Sequence, residues 1–499
     1  MSAADGTPDS TLHRAASGYR TTVLAQGVRV AAKILGVVVL ARLVSPAEHG
    51  RFAMAASLTL LFTLFRDFGA GAAAIQARGL TAGQETALCG LHIGLGFFLT
   101  GLTLACAPAV AAFYGEPRVT PLLALMSASF ALNGLNAWPR TLLGRELRFV
   151  ELNRLETLGA VGGTAAMILA GALTRSAAAF AWSLLVSEGV MLIEAWRVCR
   201  WRPRAAADWP ALRAFGRTGL HLTGYNLLLY GLQQADTLLM GRWFGAAPLG
   251  LYNRAGQLLM QPTTHLATPF SQVLLAALSR LGPESPDFAR HFRQTTNAIA
   301  HCTLPVAVLC GMLPDEIVRV VLGSAWPEAA PLLRCLSVSA GAAYLAATLY
   351  PLAVAAGRTG ALAQITAATL PLVLFALWLG SAHGPVGLAA GLAVSNALLL
   401  VPRLGWVARG TPVGRRDFLA ALAGPLGLAA AFGAGLWVGR TCADSAPLVE
   451  RLVSGLLGGT LAGAGCLLAW PRVRAELREV LGHLPLGRVW PQTPETPCT

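Results

Sequence analysis

The sequence predicts an all-α integral membrane protein of about fourteen transmembrane helices, built as two pseudo-symmetric six-helix lobes plus an appended helix pair. Three observations lead there. Charge is scarce, apolar runs of helical length recur along almost the whole chain, and one polar hairpin is echoed 200 residues downstream. Of the 499 residues, 55% are hydrophobic and 12% are charged, against about 25% charged in soluble domains, which excludes an ordinary soluble fold. An apolar run of about 20 residues, rising ~1.5 Å per residue, crosses a hydrocarbon core about 30 Å thick. A transmembrane barrel would show segments of about ten residues with alternating polarity, whereas these runs are unbroken and rich in Gly, Ala and Leu. Helices are the remaining way to satisfy the backbone in lipid.

Taken in order, residues 1–21 are polar, without an apolar core or a cleavage-site pattern, so no removable signal peptide is expected and the first span directs insertion. Spans are expected near 22–43, 52–75, 86–113, 119–139, 156–174, 177–196, 218–241, 249–277, 295–313, 328–350, 359–380, 385–407, 418–438 and 447–470. The expected organisation is a cytoplasmic segment over 1–21, an N-lobe over 22–212, a C-lobe over 213–416, spans 13 and 14 within 417–470, and a cytoplasmic tail over 471–499. RFVELNRLE (148–156) and RVRAELREVLGHL (472–484) read as amphipathic helices on the membrane surface.

Arginine placement tests this map, because loops kept in the cytoplasm are enriched in Lys and Arg. With the N-terminus inside, inner segments hold 25 arginines and outer segments 8. One missed span would invert every later loop and destroy that bias, so both termini are expected in the cytoplasm. The net charge of +14 is spread over short inner loops, which suits topology and anionic headgroups rather than nucleic acid. The nine cysteines show neither CxxC nor a Cys/His metal spacing and read as small apolar residues; no metal is expected.

The echo joins ARLVSPAEHGRFAMA (41–55) to GRWFGAAPLGLYNRA (241–255). At an offset of 200, Arg42 aligns with Arg242, Ala47 with Ala247, Gly50 with Gly250 and Ala55 with Ala255. Both stretches close one span and open the next on the outer side. Spans 1 and 7 share an orientation, so the lobes are parallel repeats about an axis along the membrane normal, a plan common in transporters.

These two stretches, with LFRDFGAGAAAIQ (64–76), ADTLLMGR (235–242) and PFSQVLLAALSRL (269–281), resemble the Wzx-type polysaccharide and O-antigen flippases, in particular the colanic-acid-exporter-like branch. That family belongs to the multidrug/oligosaccharidyl-lipid/polysaccharide exporter superfamily. The resemblance covers roughly residues 20–415. It implies two lobes around a central cavity, alternating access, and a substrate: an oligosaccharide repeat unit on undecaprenyl pyrophosphate, moved across the bacterial inner membrane for surface polysaccharide synthesis. Implied partners are that lipid-linked substrate, membrane lipids, and polymerase and glycosyltransferase machinery.

Polar residues at membrane depth are costly and mark function. Span 1 carries Thr22, Gln26, Arg29 and Lys33 at spacings of four, three and four, all on one helical face. Span 4 carries Asn133, Asn136 and Arg140; span 7 carries Asn226, Tyr230, Gln233 and Thr237. Cations backed by amides and a tyrosine suit a pyrophosphate joined to sugars, and the alternative is that the amides glue helices together. Arg66 and Asp67 in span 2 point about 100° apart and each needs a partner elsewhere; Asp67 could neutralise Arg29 or Lys33, or bind a coupling cation. Glu188 and Asp236 are the further candidates for coupling to H+ or Na+, Asp236 having a structural pairing with Arg242 or Arg254 as its alternative. Glu194 beside Arg197 reads as an interfacial pair. Tyr252, Asn253 and Arg254 lie near the outer mouth, where they either meet sugar headgroups or anchor the helix.

Nucleotide-binding, HExxH and nucleophile-elbow motifs are absent from the sequence, so no cofactor and no enzymatic activity are expected. The rival readings are a multidrug and toxin extrusion-type cation antiporter, whose cavity should be acidic and aromatic, and a membrane-embedded polysaccharide polymerase or ligase, which would need a larger outer loop.

Overall fold

In a computed structural model of the chain, the described residues are 8–66, 74, 79–210, 213–471, 473, 474 and 476. The regular elements among them are helices: α1 Pro8–Leu43, α2 Pro46–Arg66, α3 Ala82–Tyr114, α4 Val119–Arg145, α5 Phe149–Thr174, α6 Ala178–Val198, α7 Arg213–Phe244, α8 Ala246–Leu281, α9 Phe288–Met312, α10 Pro314–Val321, α11 Ala329–Ala347, α12 Leu349–Ala355, α13 Thr359–Ser381, α14 Gly384–Val407, α15 Arg415–Cys442 and α16 Leu448–Ala469. Apart from the short α10 and α12, each long helix falls on one expected span. Among the described residues, eleven spans are long and apolar enough to cross a membrane by length and composition alone. The more polar α2, α7 and α8 carry the two echoed stretches and the span 7 stripe.

Local chemistry sets several ends. Thr81 caps α3 in a reciprocal box: its Oγ1 accepts from the Gln84 N–H at 3.2 Å, and Gln84 Oε1 accepts from the Thr81 N–H at 3.1 Å. At the other end Gly115 takes the left-handed conformation, φ 68°, which glycine adopts without strain. One expectation is corrected here. Residues 149–156 are not a separate surface helix but the first two turns of α5, continuous with span 5. Nothing in the sequence breaks the helix after Phe149, and Leu155 is fully buried, so the segment turns inward. The second expected surface helix, 472–484, lies largely outside the described residues.

The chain forms two compact units, Met1–Asn253 and Arg254–Thr499. In the first, α5 packs on α1 and α6, α3 on α4, α4 on α6, and α2 on α3, α4 and α7. In the second, α15 packs on α16 and α9, α13 on α14, and α11 on α9 and α14. Lipid gives helices no hydrophobic reason to associate, so small residues that allow close approach hold them together. A Cβ on Gly163 would lie 2.8 Å from the Ser183 carbonyl oxygen, and one on Gly96 would lie 2.6 Å from that of Phe130. In the second unit Gly435 and Gly439 of α15 lie against the backbone of Gly458 and Ser454 of α16. Large side chains such as Leu24, Phe98, Leu173 and Leu461 remain exposed, as a surface solvated by lipid tails requires.

The echoed hairpins meet in the first unit. Helices α2 and α8 begin at the aligned positions Pro46 and Ala246. A Cβ on Gly50 would overlap the carbonyl of Ala246, and a Cβ on Gly250 would overlap the carbonyl of Pro46. The contact is therefore reciprocal: each glycine faces the residue aligned with the other's own partner, the signature of a two-fold relation. Around it, Glu48 takes the Ala177 N–H at 2.8 Å and pairs with Arg51, whose Nε lies 3.4 Å from Glu116.

Gly50→Val should cost at least the ~1–3 kcal/mol typical of overpacking, because the clash is with backbone. Gly101→Ala, where a Cβ meets nothing within 4 Å, should gain up to about 1 kcal/mol. Thermal unfolding in detergent checks both: the midpoint falls for the first variant and not for the second.

Candidate functional site

Four helices of the first unit bring their polar faces together. On α1, one turn joins Gln26 to Arg29: Gln26 Oε1 accepts from Arg29 Nη2 at 2.7 Å and from Nε at 3.2 Å. On α5, Asn153, Glu156 and Thr157 share a face and meet the same guanidinium. Arg29 Nη1 lies 3.3 Å from Glu156 Oε2 and donates to Asn153 Oδ1 at 3.3 Å and to Thr157 Oγ1 at 3.5 Å. On α4, Arg140 Nη2 donates to the other carboxylate oxygen, Glu156 Oε1, at 3.2 Å. One carboxylate thus bridges two guanidiniums from different helices, and the trio keeps one net positive charge.

One turn before Arg140, the amides of α4 serve a second carboxylate. Glu188 on α6 accepts from Asn136 Nδ2 at 2.8 Å and from Asn133 Nδ2 at 3.2 and 3.3 Å. Asn133 and Asn136 are buried, and charge-assisted bonds of this kind are about twice as strong as neutral ones. Nearer the end of α6, Glu194 pairs with Arg197 at 3.6 Å, as their spacing predicts, and more closely with Arg154 of α5 at 2.9 Å.

Of the residues singled out in the sequence, Gln26, Arg29, Asn133, Asn136, Arg140 and Glu188 are therefore linked through α4. Lys33 is exposed one turn along α1, with no polar contact recorded among the described residues. Arg66 ends α2 and is half-buried; Asp67 and the side chain of Asn226 lie outside the described residues. Tyr230 belongs to a different network. Its hydroxyl donates to the Ser57 carbonyl of α2, and Ser57 Oγ lies 3.0 Å from the Tyr114 hydroxyl of α3. Gln233 is exposed.

Asp236 accepts from the Tyr252 hydroxyl and from the Thr237 N–H, while Arg242 lies over the ring of Phe113, 6.0 Å from its centroid. Tyr252 is thus buried, with its hydroxyl against the Asp236 carboxylate. Arg254, in the second unit, is buried and donates to Gln257 at 2.7 Å.

Sequence reasoning missed Glu156. It sits among Glu151 and Arg154 in a stretch assigned to the surface, and its partners are more than a hundred residues away on one side. The signal was present as a stripe: Asn153, Glu156 and Thr157 follow the three-and-four spacing that marked spans 1, 4 and 7.

Residues 39–331 match the family model described as polysaccharide biosynthesis protein, and the chain belongs to that family. It is 24% identical over 282 residues to the teichuronic acid biosynthesis protein TuaB of Bacillus subtilis (strain 168), covering 56% of this chain and 58% of the relative. It is 21% identical over 324 residues to the lipopolysaccharide biosynthesis protein WzxC of Escherichia coli (strain K12), covering 64% of this chain and 66% of the relative. The chain thus spans a little under two thirds of these relatives. Among solved structures, the fold is similar to that of the lipid II flippase MurJ in an inward closed conformation, with TM-score 0.73, 12% identity, and coverage of 91% of this chain and 99% of the other.

Asn136→Ala removes the 2.8 Å contact to Glu188 and should cost about 1.5–3 kcal/mol, the worth of a hydrogen bond to a carboxylate. The cost should shrink when Glu188 is already glutamine. A double-mutant cycle on unfolding midpoints reads the coupling directly; strict additivity would separate the two residues.

Proposed function

We propose that this member of the polysaccharide biosynthesis protein family is a flippase that carries undecaprenyl-pyrophosphate-linked oligosaccharide repeat units across the bacterial inner membrane by alternating access, for surface polysaccharide synthesis. The observation that carries the reading is the convergence of Arg29 and Arg140, from α1 and α4, on one carboxylate within a bundle of membrane helices. Guanidiniums on the inward faces of membrane helices are rare and mark substrate and ion pathways. Their planar forks match phosphate oxygens. Gln26, Lys33, Arg66, Asn133 and Asn136, with Asn226, Tyr230 and Gln233 of α7, are assigned to the diphosphate and its sugars.

No covalent chemistry is required of the protein. Moving a diphosphate through hydrocarbon needs charge compensation along the way, and a cluster with excess positive charge supplies it. Glu188, held by two amides, is the coupling carboxylate we favour, with Asp67 and Asp236 as the other candidates for H+ or Na+. The arginine bias of the loops supports cytoplasmic termini. The polymerase and glycosyltransferase machinery that makes and consumes the repeat unit is the expected company.

Replacing Arg29 and Lys33 together by alanine should abolish, or lower at least tenfold, the surface polysaccharide of a complemented deletion strain while the membrane level of the protein is unchanged. Normal polymer output from that double variant would sink the assignment. For topology, Cys442, the last residue of α15, is exposed on the face assigned to the outside. A membrane-impermeant maleimide added to intact cells should label it, and Cys442→Ser should remove the label. Labelling only after permeabilisation would invert the map.

A further inference from the structure

Glu156 has no part in the reading above beyond holding two arginines, and its geometry says more. Its two oxygens are divided between two guanidiniums, one each, at 3.3 Å to Arg29 and 3.2 Å to Arg140. Strong charge-assisted bonds run at about 2.7–2.9 Å and the best Arg–carboxylate pairs are two-pronged. Neither contact here is short, and neither is two-pronged. The other groups around Arg29 are neutral: the amide oxygens of Gln26 and Asn153 and the hydroxyl of Thr157. They keep the guanidinium oriented without cancelling its charge. On Arg140, Nε is buried with no hydrogen-bond partner among the described residues, a donor left for another acceptor.

We propose that Glu156 is a tethered counter-anion that occupies the place of the substrate's diphosphate and is displaced by it. The proposal rests on the flippase reading and adds a competitor to it. A diphosphate offers more oxygens and more charge than one carboxylate, so it can engage both forks at once and use the spare donor of Arg140. The Glu156 side chain keeps 32% of its surface exposed, against 19% for Arg29 and 28% for Arg140, so on leaving it need not become a bare buried charge. When the substrate departs, the carboxylate returns to the guanidiniums. Affinity is thereby held low enough for release, which a carrier needs as much as capture.

The test is equilibrium binding of farnesyl diphosphate to the purified full-length protein in detergent, with wild type, Glu156→Gln and Arg29→Ala compared. Removing the competitor should tighten binding in Glu156→Gln by about three- to thirtyfold, the range expected when two partly exposed ion pairs no longer have to be broken. Arg29→Ala should weaken it by tenfold or more. A gain in affinity is not produced by a variant that merely folds badly. Unchanged or weaker binding by Glu156→Gln, with Arg29→Ala still impaired, overturns the displacement and leaves the cationic site standing. No effect of Arg29→Ala, or no binding by wild type, overturns the cationic site itself and the displacement with it. Inorganic pyrophosphate, taken through the same three proteins, distinguishes the sources: an equal gain means the diphosphate alone competes with Glu156, and a gain confined to farnesyl diphosphate means the lipid-linked group does.

Discussion

The absence of a hydrophobic drive between helices in lipid is the constraint on which the rest of this structure depends. Apolar side chains gain little by leaving hydrocarbon for a protein interior, so helices associate where backbones approach closely or where polar groups find partners. Both devices are present, in different places. The pairs α3/α4, α5/α6 and α15/α16 meet at glycines whose missing Cβ atoms would strike a neighbouring backbone. The pairs α1/α5, α4/α5 and α4/α6 add carboxylates shared with arginines and amides. Only the second device leaves charge inside the bundle, and that is why the functional reading concentrates there.

The polar cluster is balanced unevenly, in a way that separates holding from carrying. Glu194, with Arg154 and Arg197 near the end of α6, joins one buried acid to two exposed cations. Glu188 meets neutral amides and has no charged partner in its contacts among the described residues. Glu156 is outnumbered by cations. Three carboxylates within one packed set of helices thus carry three different electrostatic surroundings.

Much of the fold was legible because the thickness of the hydrocarbon core dictates the length of each apolar run, and no tertiary contact is needed to read it. The echoed hairpins were legible for a similar reason: Gly50 and Gly250 must be glycine where backbones touch, so the positions persist in the pattern. The site was legible by halves. The stripe Gln26–Arg29 and the stripe Asn133–Asn136–Arg140 declared themselves through helical spacing. Their partners did not, because Glu156 and Glu188 lie on other helices and no local rule links Arg29 to a residue over a hundred positions on. Tyr252 shows the limit from the other side. Its place near a membrane surface left sugar contact and anchoring both open, and no local rule announced that its hydroxyl would meet Asp236.

The reciprocal glycine contact also speaks about ancestry. A surface that meets its own aligned copy, Gly50 on Ala246 and Gly250 on Pro46, is the geometry by which two identical chains pair. A single ancestral hairpin of this kind could have dimerised before duplication joined the copies. On the topology that the arginine bias predicts, the aligned hairpins enter the membrane in the same direction, and such an ancestor needed only one insertion topology. The aligned stretches differ at Glu48 against Pro248 and at Ser45 against Gly245, differences that a pairing of two identical chains would not allow.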